Sequence, residues 1–246
     1  EISGGLVGSE MCIRDSSKAD SVKWSSRIGN SIKQSYSMLN NGSISIIIWI
    51  SMLFSFGFTI MHAVFILYTG MAVDLGGLGY NEAQNGRIFA IIGVAGILTQ
   101  GILIGPLSRR FGPAKLLPIS CILSGLGLAL IPYTNADWAL IQLFLVVVLV
   151  AVGNGIFQPT SSSLLTTVAK REGANLGVVM GAQESVSSFA RIIGPLTGGV
   201  VWTFTVTRSW PLDYHTAFHL CGIIMFCAAI LSLKVNRFAK HNLNES

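Results

Sequence analysis

The sequence predicts an all-α membrane protein with six transmembrane helices, and three observations predict it. Apolar residues make up 51% of the 246-residue chain and charged residues only 11%, where a soluble domain carries about 25% charged residues. The charges that do occur are grouped, so they divide the chain into apolar intervals of bilayer-crossing length. About 20 helical residues suffice to cover the ~30 Å hydrocarbon core. One interval, Gly173–Trp202, nevertheless carries Glu184 and Arg191 near its middle. A charge at that depth is costly and normally faces a bundle interior or a watery cavity.

Taken in order, the chain opens on EISGGLVGSEMCIRDS. This stretch resembles translated adapter read-through, so residues 1–16 are expected to be a non-native leader and are left out of fold reasoning. Residues 17–43 read as a flexible basic linker carrying Lys18, Lys23, Arg27 and Lys33 among serines and asparagines. No charge follows until Asp74, which leaves about Ile44–Gly70 as a first span, with Trp49 near its start where an amphipathic aromatic favours the interface. Asn81, with Gln84 three residues on, predicts a capping-box start for a second helix, whose apolar body lies between Arg87 and Arg109. A third span fits between Lys115 and Asp137, a fourth between Asp137 and Lys170, and a sixth between Asp213 and Lys234. Residues 44–236 are thus expected to form the six-helix domain, and residues 237–246 a cytoplasmic tail.

The fifth element, Gly173–Trp202, organises the rest. On a helix Glu184, Ser188 and Arg191 fall on one face. Gly177 and Gly181 repeat Gly173 at four-residue spacing, as Gly198 repeats Gly194, and small residues so spaced admit a close neighbouring helix. Pro195 interrupts the backbone ladder. Glu184 and Arg191 are separated by roughly 10 Å along the axis, so each is expected to find its partner elsewhere.

Loop charges orient the spans. The linker basics, Arg109, Arg110, Lys115, Lys170, Arg171, Lys234, Arg237 and Lys240 all fall on one side, against Arg208 and Arg87 on the other. The positive-inside bias therefore places both ends in the cytoplasm of a multi-pass protein of the cell membrane. Six spans with both ends inside suit two three-helix units of opposite topology, the inverted repeat of secondary transporters.

Other classes fare poorly. The formal charge of +5 belongs to cytoplasmic loops, since no basic cluster is interleaved with aromatics as a nucleic-acid face requires. The four cysteines form no CxxC pair and no metal spacing, and no cofactor is called for. His215 and His219 have metal-like spacing but no third ligand nearby, so packing is the better reading. For a membrane enzyme, neither paired acids nor a nucleophile–base arrangement is legible. A non-transporting scaffold would gain support if Glu184 and Arg191 satisfied one another in a dry interior.

Among polar residues inside the spans, Glu184 is the sharpest candidate. A carboxyl in a low-dielectric site takes up a proton more readily than in water, as a proton-coupled carrier needs. For Arg191, function and structure weigh evenly. His62 is the lone ionisable residue of the first span, a candidate proton relay or, more often, a packing residue. Gln100, Gln142, Asn154, Gln158 and Gln183 could orient a substrate or hydrogen-bond across helices. Asn154 and Gln158 precede Pro159, where freed carbonyls could line a cavity. Gln183 points about 100° away from Glu184. Phe54, Phe56, Phe58 and Phe65 read as packing or lipid-facing residues.

The loop GPLSRRFGPAK, with Gly105, Leu107, Arg110 and Gly112, resembles the cytoplasmic signature of the major facilitator superfamily. It departs from that signature in Arg109, which stands in place of an acid, and in Pro113 and Ala114, which stand in place of basics. GNGIFQPTSSSLL and the Gly173–Trp202 helix resemble the tenth and eleventh helices of that superfamily, closest to its tetracycline-efflux-like drug/proton antiporter branch. The resemblance covers about residues 40–240. It implies the carboxy-terminal half of a twelve-helix transporter working by alternating access. The partners implied are a small-molecule substrate, protons, the lipid bilayer and a missing amino-terminal half. The implied activity is proton-coupled export, with nutrient or metabolite uptake as the alternative.

Overall fold

The computed structural model describes residues 42–134, 139–208 and 212–241. The expected leader, the basic linker up to residue 41, Asp137 and the last five residues lie outside the described residues. What is described is helical, with no strand among the described residues. In chain order the elements are α1 (Gly42–Gly70), α2 (Glu82–Leu98), a π-turn (Thr99–Leu103), α3 (Ile104–Phe111) and α4 (Pro113–Leu130). They continue with α5 (Ala139–Arg171), α6 (Leu176–Thr205) and α7 (His215–His241). Short 3₁₀ turns follow α1 at Val73–Leu75 and α4 at Ile131–Tyr133.

Local signals start and stop these helices where the sequence places them. Asn81 Oδ1 accepts from the Gln84 amide at 2.9 Å while Gln84 Oε1 accepts from the Asn81 amide at 2.9 Å, so the predicted capping box is present. Asn175 caps α6, its Oδ1 accepting from the amides of Gly177 (3.0 Å) and Val178 (3.4 Å). Gly112 ends α3 at φ 73°, a conformation open to glycine and strained for other residues, and Pro113 then begins α4.

Because α2, the π-turn and α3 are continuous, they form one rod, Glu82–Phe111. Five helical segments are long and apolar enough to cross a membrane: α1, this rod, Pro113–Tyr133, Ile141–Arg171 and His215–Val235. The sixth long segment, α6, has 30 residues and hence about 45 Å of length. It falls outside that set because Gln183, Glu184, Ser185, Ser187, Ser188 and Arg191 lie in its body.

Packing follows a regular plan. α1 lies against α6 and α7, α4 lies against α5 and α7, and α2 lies against α5. Exchanging α1 with α5, the α2–α3 rod with α6, and α4 with α7 maps this set of contacts onto itself. The fold thus contains two three-helix units packed alike, and successive antiparallel helices give units three spans apart opposite directions.

Glycines set the close approaches. A Cβ on Gly194 would strike Thr59 of α1, one on Gly125 would meet Met225 of α7, and one on Gly153 would strike Ser124 of α4. The core between them holds Phe54, Ile60, Val64, Phe65 and Tyr68 of α1 with Phe157 and Phe218. Phe54 and Phe157 stack with centroids 3.6 Å apart.

At the end of the bundle where α1 and α4 finish and α7 begins, Tyr68 donates to the Thr134 carbonyl at 3.1 Å, and Tyr133 Oη lies 3.0 Å from His219 Nε2. His215 Nδ1 is 3.0 Å from Asp213 Oδ1. Burial, reinforced by the Asp213 carboxylate, pushes the Tyr214 phenol up. His215 and His219 thus belong to a packed aromatic cap.

Candidate functional site

The site is built on α6, which has two unlike faces. Val179, Ala182, Ser187, Ala190, Gly194, Gly198 and Trp202 form its buried stripe. On this stripe Gly194 and Gly198 meet α1, where a Cβ on Gly198 would touch the Ile60 carbonyl at 3.2 Å. Gly177 and Gly181 behave differently from the expectation of a glycine groove. No part of another helix lies within reach of either, so that half of the glycine repeat meets no helix among the described residues. They belong instead to an exposed stripe running Gly177, Gly181, Glu184, Arg191, Pro195, with the half-buried Ser188 between the two charges.

Within this stripe Arg191 Nη2 donates to Glu184 Oε1, and to Ser188 Oγ at 3.2 Å. This corrects the expectation that the two charges find partners elsewhere. Seven residues turn the helix to within about 20° of two full turns, so both side chains leave the same face and can reach towards each other across the axial gap. The pair is open, with 49% of the Arg191 side chain and 70% of the Glu184 side chain exposed. A mutually satisfied pair in a dry interior, which would have favoured a scaffold, is not the arrangement here.

One residue along, Gln183 turns inward as its angular offset predicts. Its Nε2 donates to Ser51 Oγ of α1 at 2.9 Å and to Ser161 Oγ of α5 at 3.1 Å, and these two hydroxyls lie 2.8 Å apart. Three helices thus meet at one polar node directly behind the exposed charges. Ser51 and Ser161 escaped the sequence reading because a serine in a span has no signature, and its partners lie 110 and 22 positions away.

The other candidates scatter. Asn154 is half-buried in α5 and its Oδ1 has no hydrogen-bond partner among the described residues, as is true of Thr160 Oγ1, the residue after Pro159. Six residues turn a helix by about 600°, so the two atoms lie on different faces of α5. Gln158 is exposed, and Gln142 engages a partner. Gln100 is exposed and sits in the π-turn, a feature that sequence periodicity did not indicate. Such turns are frequent at functional sites. His62 places Nδ1 2.9 Å from the Phe58 carbonyl and packs edge-on against Phe58 (4.5 Å) and parallel to Phe89 of α2 (6.1 Å), so it joins α1 to α2. In the signature loop, Gly105 and Arg110 are exposed, Arg110 lying over the Phe111 ring at 5.6 Å, and Gly112 supplies the left-handed turn.

A helical bundle with an inverted packing plan, a basic glycine loop and a charged, uncovered helix face is the frame on which comparison with known proteins rests. The profile of the Major Facilitator Superfamily matches residues 35–246. The chain belongs to the Major Facilitator Superfamily.

Membership places it among transporters rather than enzymes, and the apolar helices make it a multi-pass membrane protein. Multidrug resistance protein 1 of Bacillus subtilis (strain 168) is 24% identical over 174 residues, 71% of this chain and 41% of that protein. Multidrug resistance protein 2 of the same organism is 21% identical over 179 residues, 73% of this chain and 40% of that protein. The chain therefore spans about two fifths of the length of these relatives. A crystallised peptide transporter of the POT type, in complex with alafosfalin, superimposes with a TM-score of 0.59 at 20% identity, covering 79% of this chain and 38% of that one. That likeness speaks for the fold.

Proposed function

We propose that this chain is the carboxy-terminal six-helix half of a drug/proton antiporter of the tetracycline-efflux-like branch, exporting a small amphipathic compound by alternating access. Both ends would lie in the cytoplasm, and substrate would sit between this half and an amino-terminal one. The observation that carries the reading is the uncovered stripe Gly177–Gly181–Glu184–Ser188–Arg191 on a helix otherwise packed in a membrane bundle. An ion pair half open to its surroundings is costly against lipid and cheap against water or a polar partner. The α2–α3 rod supports the same reading. It is the symmetry counterpart of α6, and a Cβ on Gly86, Gly93, Gly101 or Gly105, all exposed, would likewise meet nothing within 4 Å. Two helices with open glycine faces, related by the internal symmetry, suit closure by a second bundle.

In this mechanism Glu184 accepts a proton when Arg191 swings away, and returns it when the pair re-forms. Gln183, fixed to Ser51 and Ser161, keeps the helix from rotating as the charges exchange. Export rather than uptake is favoured by the similarity to multidrug resistance proteins. The test is flux of a lipophilic dye in vesicles under an imposed pH gradient, with the full transporter as wild type and as Glu184→Gln. The reading expects at least a tenfold loss of gradient-driven flux, with passive exchange retained. Undiminished gradient dependence in Glu184→Gln would sink the role of Glu184 in coupling.

A further inference from the structure

Apart from the α6 stripe, the described residues hold a cavity of about 490 Å³ between the first turns of α2 and α5. Gln84, Arg87, Ile88 and Ile91 supply the α2 side, at the spacing that puts all four on one helical face. Phe144 and Leu145 supply much of the α5 side. On α2 these positions lie about 3–14 Å from the helix start. The cavity is therefore a feature of one end of the bundle, well short of the mid-membrane depth at which alternating access places its substrate.

Its chemistry is graded. Arg87 and Gln84 stand at the mouth beside the helix N-terminus, and everything further in is aliphatic or aromatic. Arg87 is the single charged residue of the lining, and it forms no ion pair among the described residues. Glu82, the nearest acid on the helix, projects about 140° from Arg87 and so leaves the cation uncompensated on the groove side among the described residues. The apolar wall also has no outer rim: Phe144 is 48% exposed and Leu145 63%, so the groove opens sideways along the bundle. A cation at headgroup depth above an apolar furrow open to the acyl region is complementary to one class of molecule.

We propose that this groove is a binding site for an anionic phospholipid. The phosphate accepts hydrogen bonds from the Arg87 guanidinium and the Gln84 amide, and one acyl chain lies along Ile88, Ile91 and Leu145. A furrow of this volume, within the ~300–1,000 Å³ range of small-ligand sites, takes the phosphate and the first part of one chain while the remainder stays in the bilayer. Among the described lining residues no acid is available to hold the ammonium of a zwitterionic headgroup, which is why the site selects the anionic lipid. This site is independent of the transport reading, since it needs neither Glu184 nor proton coupling.

The experiment is native mass spectrometry of the full chain in detergent, titrated with phosphatidylglycerol or with phosphatidylcholine of the same chains. The wild type is expected to bind phosphatidylglycerol about tenfold more tightly, as one charge-assisted pair provides. Arg87→Gln is expected to bring the two lipids to within about twofold, while Arg87→Lys keeps part of the preference because the charge remains. Ile91→Trp, which fills the furrow, is expected to weaken both, with an unchanged melting temperature showing that the fold is intact. The proposal is overturned if wild type binds the two lipids alike, or if Arg87→Gln keeps the full preference. It is equally overturned if millimolar inorganic phosphate displaces the bound lipid, which would make this a bare anion site.

Discussion

Arg191 bonds both Glu184 and Ser188 on a face that no other described helix covers, and this cluster decides how the protein is to be read. Exposed ion pairs contribute about 0–1 kcal/mol, while pairs sealed away from water cost several kcal/mol when one member is removed. A double-mutant cycle with Glu184→Gln and Arg191→Gln, read by unfolding in mixed micelles, is therefore expected to give a coupling below about 1 kcal/mol. A coupling of several kcal/mol would mean a dry, structural pair and would favour a scaffold. The polar identities of this site were legible in the sequence, because charges inside an apolar interval stand out. Their pairing was not, since axial rise alone ignores the reach of two long side chains from a common face. Nor was the Ser51–Ser161–Gln183 node, which depends on which helices meet rather than on any local pattern.

At the scale of the helix, glycines of identical spacing play opposite parts in α6. Gly194 and Gly198 are pressed on α1, whereas Gly181 faces open space. Gly194→Ala is accordingly expected to lower stability by about 1–3 kcal/mol through overpacking against Thr59. Gly181→Ala should cost nothing in the isolated bundle and stabilise it by up to about 1 kcal/mol, since alanine is the better helix former. Equal losses at the two positions, measured as unfolding midpoints, would mean that the faces of α6 are wrongly assigned. The four-residue repeat was visible in the sequence, but which half is packed depends on where α1 crosses. The cap at Asn81 was legible from its residue types. The π-turn at Thr99–Leu103 was invisible because it adds a residue to a turn without changing composition; there a Cβ on Gly155 of α5 would come within 2.9 Å of Thr99.

Across the whole molecule, packing carries more information than the sequence repeat, which is too weak to propose on its own. The exchange of α1 with α5, the α2–α3 rod with α6 and α4 with α7 holds in the contacts, although their residues share little beyond small side chains at crossings. Shape at a crossing requires a glycine or alanine and little else, so divergence elsewhere erases the repeat from the sequence while the fold keeps it. The same symmetry pairs the two helices that expose glycine faces, which supports the proposal that a second bundle closes on them. The most direct measurement is cysteine accessibility along α6 in the membrane-embedded full transporter, with Cys12, Cys121, Cys221 and Cys227 first replaced by serine. Gly181→Cys and Ser188→Cys are expected to react with a membrane-impermeant maleimide and to be protected by transported substrate, while Val179→Cys and Ala190→Cys stay unreactive. Unreactive cysteines at 181 and 188, or reaction equal at all four positions, would contradict the account, because the polar face of α6 would then not line an aqueous path.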